Sequence, residues 1–148
     1  MKQILVATDG SESAYDAVSQ AIELARSTGA KLVVAYVRHA PLPLLGEPVY
    51  QRSLSSEVRL GQETTALAAA RACGVGVPAE VEVVEGNPAE RILELARIRD
   101  VDLIVVGSGK LGALASTLLG SGSREVLRHA DRPVLVATRR AARSSRAA

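Results

Sequence analysis

The chain contains few aromatic side chains and a single cysteine. Three of its 148 residues are tyrosine, and none is phenylalanine or tryptophan. The core must therefore be aliphatic, which suits strands covered by helices on both faces better than a sandwich or a platform on which nucleobases stack. The lone thiol, Cys73, excludes an internal disulfide and a cysteine-rich metal site. Its place among alanines predicts a buried, inert side chain.

Signals for a membrane or for secretion are also missing. No apolar run approaches the roughly 18 residues of a membrane-spanning helix, and the amino-terminal segment has no long apolar stretch typical of a signal peptide. We therefore expect a cytoplasmic protein that does not associate with a membrane.

Positive charge is concentrated at the carboxyl end. Residues 139–148 hold four arginines and no acid, so without them the formal net charge falls from +2 to −2. A near-neutral body predicts no basic face, which argues against nucleic acid as a partner. We expect residues 1–138 to form one domain and residues 139–148 to form a flexible basic tail.

Apolar runs alternate with segments of helical periodicity along the chain. The runs at 4–7, 31–37, 80–84, 101–106 and 133–137 predict strands, and the segments at 14–25, 51–73, 88–96 and 123–130 predict helices. Asn87 and Pro88 are a typical helix start, with a cap followed by a proline in the first turn. Strict alternation predicts an α/β fold with an open five-stranded parallel sheet, helices on both faces, and the strand-to-helix loops at its carboxyl edge.

A glycine-rich loop follows the fourth predicted strand. Gly107 ends that strand, where we expect a sharp turn without a Cβ. Residues 120–123, Gly-Ser-Gly-Ser, open a helix whose N–H groups and dipole favour an anion. Ser121 and Ser123 add hydroxyl donors, and Lys110 can place a positive charge beside phosphates. The same residues can also be a tight turn, helix caps and a solvated lysine.

Several common sites are excluded by their spacing. Leu111 stands where a P-loop needs Ser or Thr, and Ile104 stands where it needs its first glycine. The first predicted turn, 8–11, has one glycine and lacks the dinucleotide fingerprint. His39 and His129 have no suitably spaced acidic partners for a metal. No candidate general base emerges, so we expect no enzyme activity beyond slow, incidental ATP hydrolysis.

Three segments in order resemble the universal stress protein family: 4–11 (Ile-Leu-Val-Ala-Thr-Asp-Gly-Ser), 86–92 (Gly-Asn-Pro-Ala-Glu-Arg-Ile), and 105–108 with 120–136. Nucleotide-binding members of that family carry Gly-x2-Gly-x9-Gly followed by Ser or Thr. Here Gly107 takes the first position and Gly120-Ser121 the last, while Lys110 replaces the second glycine. Gly109 and Gly112 flank that lysine and can supply backbone freedom.

The resemblance implies a Rossmann-like sheet of strand order 3-2-1-4-5 and a stress-response regulator that binds ATP or another adenine nucleotide, with or without magnesium. It implies that Asp9 contacts the ribose or a nucleotide-bound magnesium, although a cap on the first helix is the structural alternative. It also implies adenine hydrogen bonds to the backbone of Val37. The implied nucleotide-binding residues are Ala7, Thr8, Asp9, Val37, Val106, Gly107, Ser108, Gly109, Lys110, Gly120, Ser121, Gly122 and Ser123.

Assembly is the last expectation. The strand at 133–137 is the last one added to the sheet and carries no charge, so its exposed edge invites a second copy of the chain. Members of the family often form homodimers in this way, which the resemblance carries over to this chain. An unidentified protein partner would read the bound state.

Two other functions stay open. One is an interaction protein of the same fold in which Lys110 marks a lost nucleotide site. The other is an adenylyl transferase on a related fold. That class usually has a histidine-containing phosphate motif after the first strand, and residues 8–12 contain no histidine, which counts against it.

Overall fold

The computed structural model describes residues 1–39, 44, 46–109 and 121–138. The elements alternate in the order β1 Gln3–Ala7, α1 Glu12–Thr28, β2 Lys31–Arg38, α2 Val49–Gly74, β3 Ala79–Glu85, α3 Pro88–Ile98, β4 Leu103–Gly107, α4 Ser121–His129 and β5 Val134–Ala137. All neighbouring strands are parallel, and the order across the sheet is β3-β2-β1-β4-β5. The predicted α/β fold and strand order are confirmed. The predicted tail, 139–148, lies outside the described residues.

Both faces of the sheet are covered, as the continuous apolar runs predicted. Along β1, Ile4 and Val6 point into a cluster beneath α1 and α2, while Leu5 points into a second cluster beneath α3 and α4. This alternation is the period of two that a strand imposes. Leu32 on β2 joins the first cluster and Ile104 on β4 joins the second, so the central strands are buried on both sides.

Strand β4 begins later than predicted, because residues 101 and 102 make other hydrogen bonds. The strand begins at Leu103 and not at Val101. The N–H of Val101 donates to the Ala96 carbonyl at the end of α3. The Asp102 carboxylate accepts the N–H groups of Lys2 and Gln3 at 2.6 and 3.0 Å. These two backbone hydrogen bonds hold the pKa of Asp102 below its ordinary value. Asp102 therefore ties the start of β1 to the segment that leads into β4.

Helix α2 approaches the sheet most closely at Gly61. A Cβ at this position would lie 2.9 Å from Cδ1 of Tyr36 and 2.9 Å from Cγ1 of Val83. Tyr36 is buried beneath the helix, and that burial raises the pKa of its hydroxyl, with smaller contributions from the carboxylates of Glu57 and Asp9. The glycine in the middle of α2 thus permits close packing and does not interrupt the helix.

Cys73 is exposed, so the prediction of a buried thiol is wrong. Its neighbour Ala72 is fully buried on the face of α2 that packs against the sheet. One residue further along a helix turns the side chain by about 100°, which carries Cys73 away from the core. Alanines occur on both faces of this helix, so composition around Cys73 did not reveal which face it occupies.

We expect Gly61→Ala to destabilise the fold, although alanine is the better helix former by about 1 kcal/mol. Overpacking against Tyr36 and Val83 should cost about 1 to 3 kcal/mol, so the free energy of unfolding in urea should fall. Gly74→Ala, also in α2, is the matched control because the added Cβ would meet none of the described residues outside its own stretch of helix within 4 Å. Equal stability of the two variants would contradict the close-packing account.

Candidate functional site

The carboxyl ends of β1, β2 and β4 meet at one edge of the sheet, beside the amino end of α4. Strands β1 and β4 are neighbours, with Val6 opposite Val105, so the residues that follow each strand are also side by side. The chain runs from β1 towards β3 on one side and from β4 to β5 on the other, so the strand order reverses between β1 and β4. In open α/β sheets, ligands bind in the crevice at such a reversal.

Thr8 and Asp9 form the turn after β1. Thr8 is buried, and its hydroxyl accepts the N–H of Gly10 at 3.2 Å. Asp9 is exposed, and its Oδ1 accepts the N–H of Ser11 at 2.9 Å. The cap of α1 is Ser11 itself, whose hydroxyl accepts the N–H of Ala14. Asp9 therefore shapes the turn but does not cap the helix, and its carboxylate remains at the crevice.

Val37 turns its backbone towards the crevice. The Ala35 carbonyl accepts the N–H of Thr8 on the β1 side, while the Arg38 carbonyl accepts the N–H of Gly86 on the β3 side. Backbone groups alternate between the two sides of a strand, so the N–H and C=O of Val37 face the β1 side, beyond the point where β1 ends. The side chain of Val37 packs against the cluster beneath α3 and α4.

Position 107 must be glycine because the first turn of α1 approaches it closely. The sharp turn predicted at this residue occurs further along the chain. A Cβ on Gly107 would lie 2.7 Å from the carbonyl oxygen of Ser13 and 3.0 Å from its Oγ, in the first turn of α1. The backbone conformation that favours glycine occurs two residues later, at Gly109, where φ is 92°. Gly107 therefore lets α1 rest directly on the end of β4.

Ser123 connects the first turn of α4 to the end of β4. Its hydroxyl donates to the carbonyl oxygen of Gly107 at 2.5 Å. Ser121 and Gly122 are exposed in the same turn. A serine hydroxyl has one hydrogen, so Ser123 uses its hydrogen to hold the helix and has none left for a ligand. The predicted part of Ser123 in nucleotide binding stays a prediction.

Val106 and Ser108 are buried next to this edge. Val106 belongs to the cluster beneath α3 and α4, and the N–H of Ser108 donates to the Ala137 carbonyl on β5 at 3.1 Å. Both residues belong to the buried structure on which the crevice rests. Ala7, at the end of β1, is half-buried. Lys110 and Gly120 lie outside the described residues, so their roles stay predictions.

The amino ends of two helices, α1 and α4, approach Gly107 from different sides. Ser13 contacts it from α1 and Ser123 contacts it from α4. Each helix amino end carries partial positive charge and N–H groups without a carbonyl partner within the helix, so the crevice suits an anion. The contact of Ser13 with Gly107 could not be predicted from the sequence, because it joins residues far apart in the chain. Among the described residues, no group of three or more His, Cys, Asp or Glu could hold a metal ion.

The fold and this edge define an open, doubly wound α/β protein with an anion-suited crevice where the strand order reverses. The profile of the Universal stress protein family matches residues 1–138. The chain belongs to that family, as its motifs predicted.

Known relatives resemble the chain over nearly its whole length. The "Universal stress protein in QAH/OAS sulfhydrylase 3'region" of Thermus aquaticus is 39% identical over 137 residues, which is 91% of this chain and 97% of the relative. The solved structure of universal stress protein UspA from Lactobacillus plantarum has a TM-score of 0.81 at 26% identity, covering 93% of this chain and 97% of that one.

Some solved structures of this fold contain nucleotides. A universal stress protein in complex with cAMP has a TM-score of 0.72 at 30% identity, covering 91% of this chain and 95% of that one. An Archaeoglobus fulgidus structure in complex with dAMP is 24% identical, with a TM-score of 0.65, covering 92% of this chain and 97% of that one. An Arabidopsis thaliana structure with AMP bound is 22% identical, with a TM-score of 0.69, covering 95% of this chain and 94% of that one. At that identity they show the shared fold alone.

We expect Gly107→Ala to lower the free energy of unfolding by about 1 to 3 kcal/mol, because the added methyl meets backbone atoms of Ser13 that have little room to move. Chemical denaturation followed by circular dichroism measures the effect. Gly122→Ala, in the first turn of α4, is the control, since its Cβ would meet no atom of the described residues within 4 Å. A Gly107→Ala protein as stable as the control would show that α1 does not rest on this residue.

Proposed function

We propose that this chain binds an adenine nucleotide in the crevice between β1 and β4 and acts as a regulator in a stress response. The observation that carries the proposal is the attachment of the amino end of α4 to the end of β4, through Ser123 and Gly107. This places a helix amino end, which favours phosphate, beside the strand ends. The cAMP complex of a relative that is 30% identical supports the same class of ligand.

The parts of a nucleotide match the parts of the crevice in order. Phosphates would lie at the first turn of α4, which begins at Ser121, because the first N–H groups of a helix favour an anion. The adenine would lie at Val37, whose backbone N–H and C=O face the crevice. Asp9 lies between these positions along the edge. After one hydrogen bond its carboxylate keeps further acceptor positions for ribose hydroxyls or a nucleotide-bound magnesium.

The proposed role is binding that a partner protein reads, without rapid turnover. Among the described residues, the crevice offers serine and threonine hydroxyls, backbone groups and the exposed carboxylate of Asp9, and we nominate none of them as a general base. ATP hydrolysis should therefore be slow and incidental. In the described part of the chain, no helix combines the length and apolar character needed to cross a membrane.

We expect ATP-Mg to bind the wild-type protein and to stabilise it by about 2.7 kcal/mol at a hundredfold excess over its Kd. Lys110→Ala should weaken ATP and leave adenosine unchanged, because a lysine that contacts phosphate gives adenosine no favourable contact. Isothermal titration calorimetry with both ligands measures the difference.

Lys110→Gly serves as the opposing variant, since it restores the second glycine of the family's motif. If Lys110 blocks the site, this variant should bind ATP more tightly than the wild type. If the wild type shows no binding heat and no thermal stabilisation at millimolar ATP, that result contradicts the proposed function and favours an interaction protein that has lost its nucleotide site.

We also propose that the chain forms a two-fold homodimer through β5. Topology places β5 and β3 at the two edges of the sheet. β3 contains Glu80, Glu82 and Glu85, and charged side chains of this kind discourage a second strand from pairing. The four residues of β5 are Val-Leu-Val-Ala and carry no charge. Antiparallel pairing of β5 with its own copy would cover the β5 edge of both subunits at once.

We expect the wild type to be a dimer or larger by light scattering, and Val136→Asp to lose that state because two carboxylates would oppose each other across the axis. Val84→Asp is the matched control. Val84 lies on the opposite edge strand and, like Val136, is partly buried against the cluster beneath α3 and α4, so the same charge there should leave the assembly unchanged. A wild-type monomer at high micromolar concentration would contradict this assembly, whatever the variants do.

A further inference from the structure

Helix α4 packs against α3 and, less extensively, against β5. It spans nine residues, of which Val126, in its second turn, is the one that is fully buried. Val126 lies beyond the first turn, so the first turn itself contains no fully buried side chain. The first turn has its own attachment in the hydrogen bond from the Ser123 hydroxyl to the carbonyl oxygen of Gly107, at 2.5 Å.

The acceptor of this hydrogen bond is firmly held. Gly107 ends a strand that is paired on both sides, with β1 and with β5. Ser13 packs against Gly107 so closely that no Cβ fits between them, and the next residue, Ser108, is held by Ala137 on β5. Because the strand end cannot move easily, the hydrogen bond positions the helix relative to the strand.

We infer that Ser123 is a positioning residue for phosphate recognition, an inference that rests on the proposed function. Its hydroxyl hydrogen is used by Gly107, so Ser123 does not donate that hydrogen to the ligand. It aligns the N–H groups at the start of α4 with the end of β4, where the phosphates would lie. Hydrogen bonds are directional, and without this one the first turn would fray, as helix ends do.

The phosphate and adenine ends of the ligand would depend on different elements of the crevice. Removing the Ser123 hydroxyl should disturb the phosphate end of the crevice, which depends on α4. It should leave the adenine end, at Val37 on β2, intact. ATP affinity should therefore fall while adenosine affinity stays the same, a difference that a general loss of stability would not produce.

The test compares wild type with Ser123→Ala, Ser123→Thr and Ser27→Ala by calorimetry with ATP-Mg and with adenosine. Ser27→Ala is the matched control, because the Ser27 hydroxyl also donates to a backbone carbonyl, that of Leu24 at 3.0 Å, near the end of α1 opposite the crevice. Ser123→Ala should weaken ATP about three- to tenfold, the range expected for one hydrogen bond, and change adenosine less than about twofold. Ser123→Thr keeps a hydroxyl and should restore ATP binding.

Amide hydrogen exchange of the ligand-free proteins gives a second measurement. Exchange of the amides of residues 125–127, which donate to the carbonyls of the first turn of α4, should be faster in Ser123→Ala than in the other three proteins. Unchanged ATP affinity in Ser123→Ala, or equal weakening of ATP and adenosine, would overturn the inference while the proposed function stands. A wild type that binds neither ligand would contradict the proposed function itself, and the positioning role with it.

Discussion

The contact between Gly107 and the first turn of α1 determines how closely the parts of the crevice can meet. With no side chain at position 107, the backbone of Ser13 reaches the end of β4, and the opposite helix, α4, is attached to the same residue through Ser123. Two helix amino ends thus share one strand end. A methyl group at this position would push α1 away from β4, and the crevice between β1 and β4 would change shape.

This contact depends on the sheet beneath it. Both faces of β1, β2 and β4 are buried in aliphatic clusters, so the strand ends are fixed relative to one another by the core. At the far side, Gly61 lets α2 approach Tyr36 closely, and Tyr36 lies one residue before Val37 on β2. The rigid elements lie beneath the crevice, and exposed residues such as Asp9 and Ser121 lie at its surface.

Much of the fold could be predicted because its signals are local. Continuous apolar runs indicated strands buried on both faces, and the cap at Asn87 followed by Pro88 indicated the start of α3, where the side chain of Asn87 accepts the N–H of Glu90. The strand ends that gather at the crevice followed from the parallel topology and from the family's motif. Contacts between distant segments could not be predicted in this way. The approach of Ser13 to Gly107, the partner of the Ser123 hydroxyl and the exposed face of Cys73 all depend on how helices seat on the sheet, which no local pattern records.

The central claim is that an adenine nucleotide occupies the crevice between β1 and β4. Backbone amide chemical shifts recorded during titration with ATP-Mg test it most directly, because every strand end and helix start in the crevice reports separately. The account predicts that the largest changes occur in residues 7–11, at Val37, in residues 107–109 and in residues 121–123, with β3 and the end of α1 unaffected. Saturable changes confined to another surface, or no changes at millimolar ATP, would contradict it.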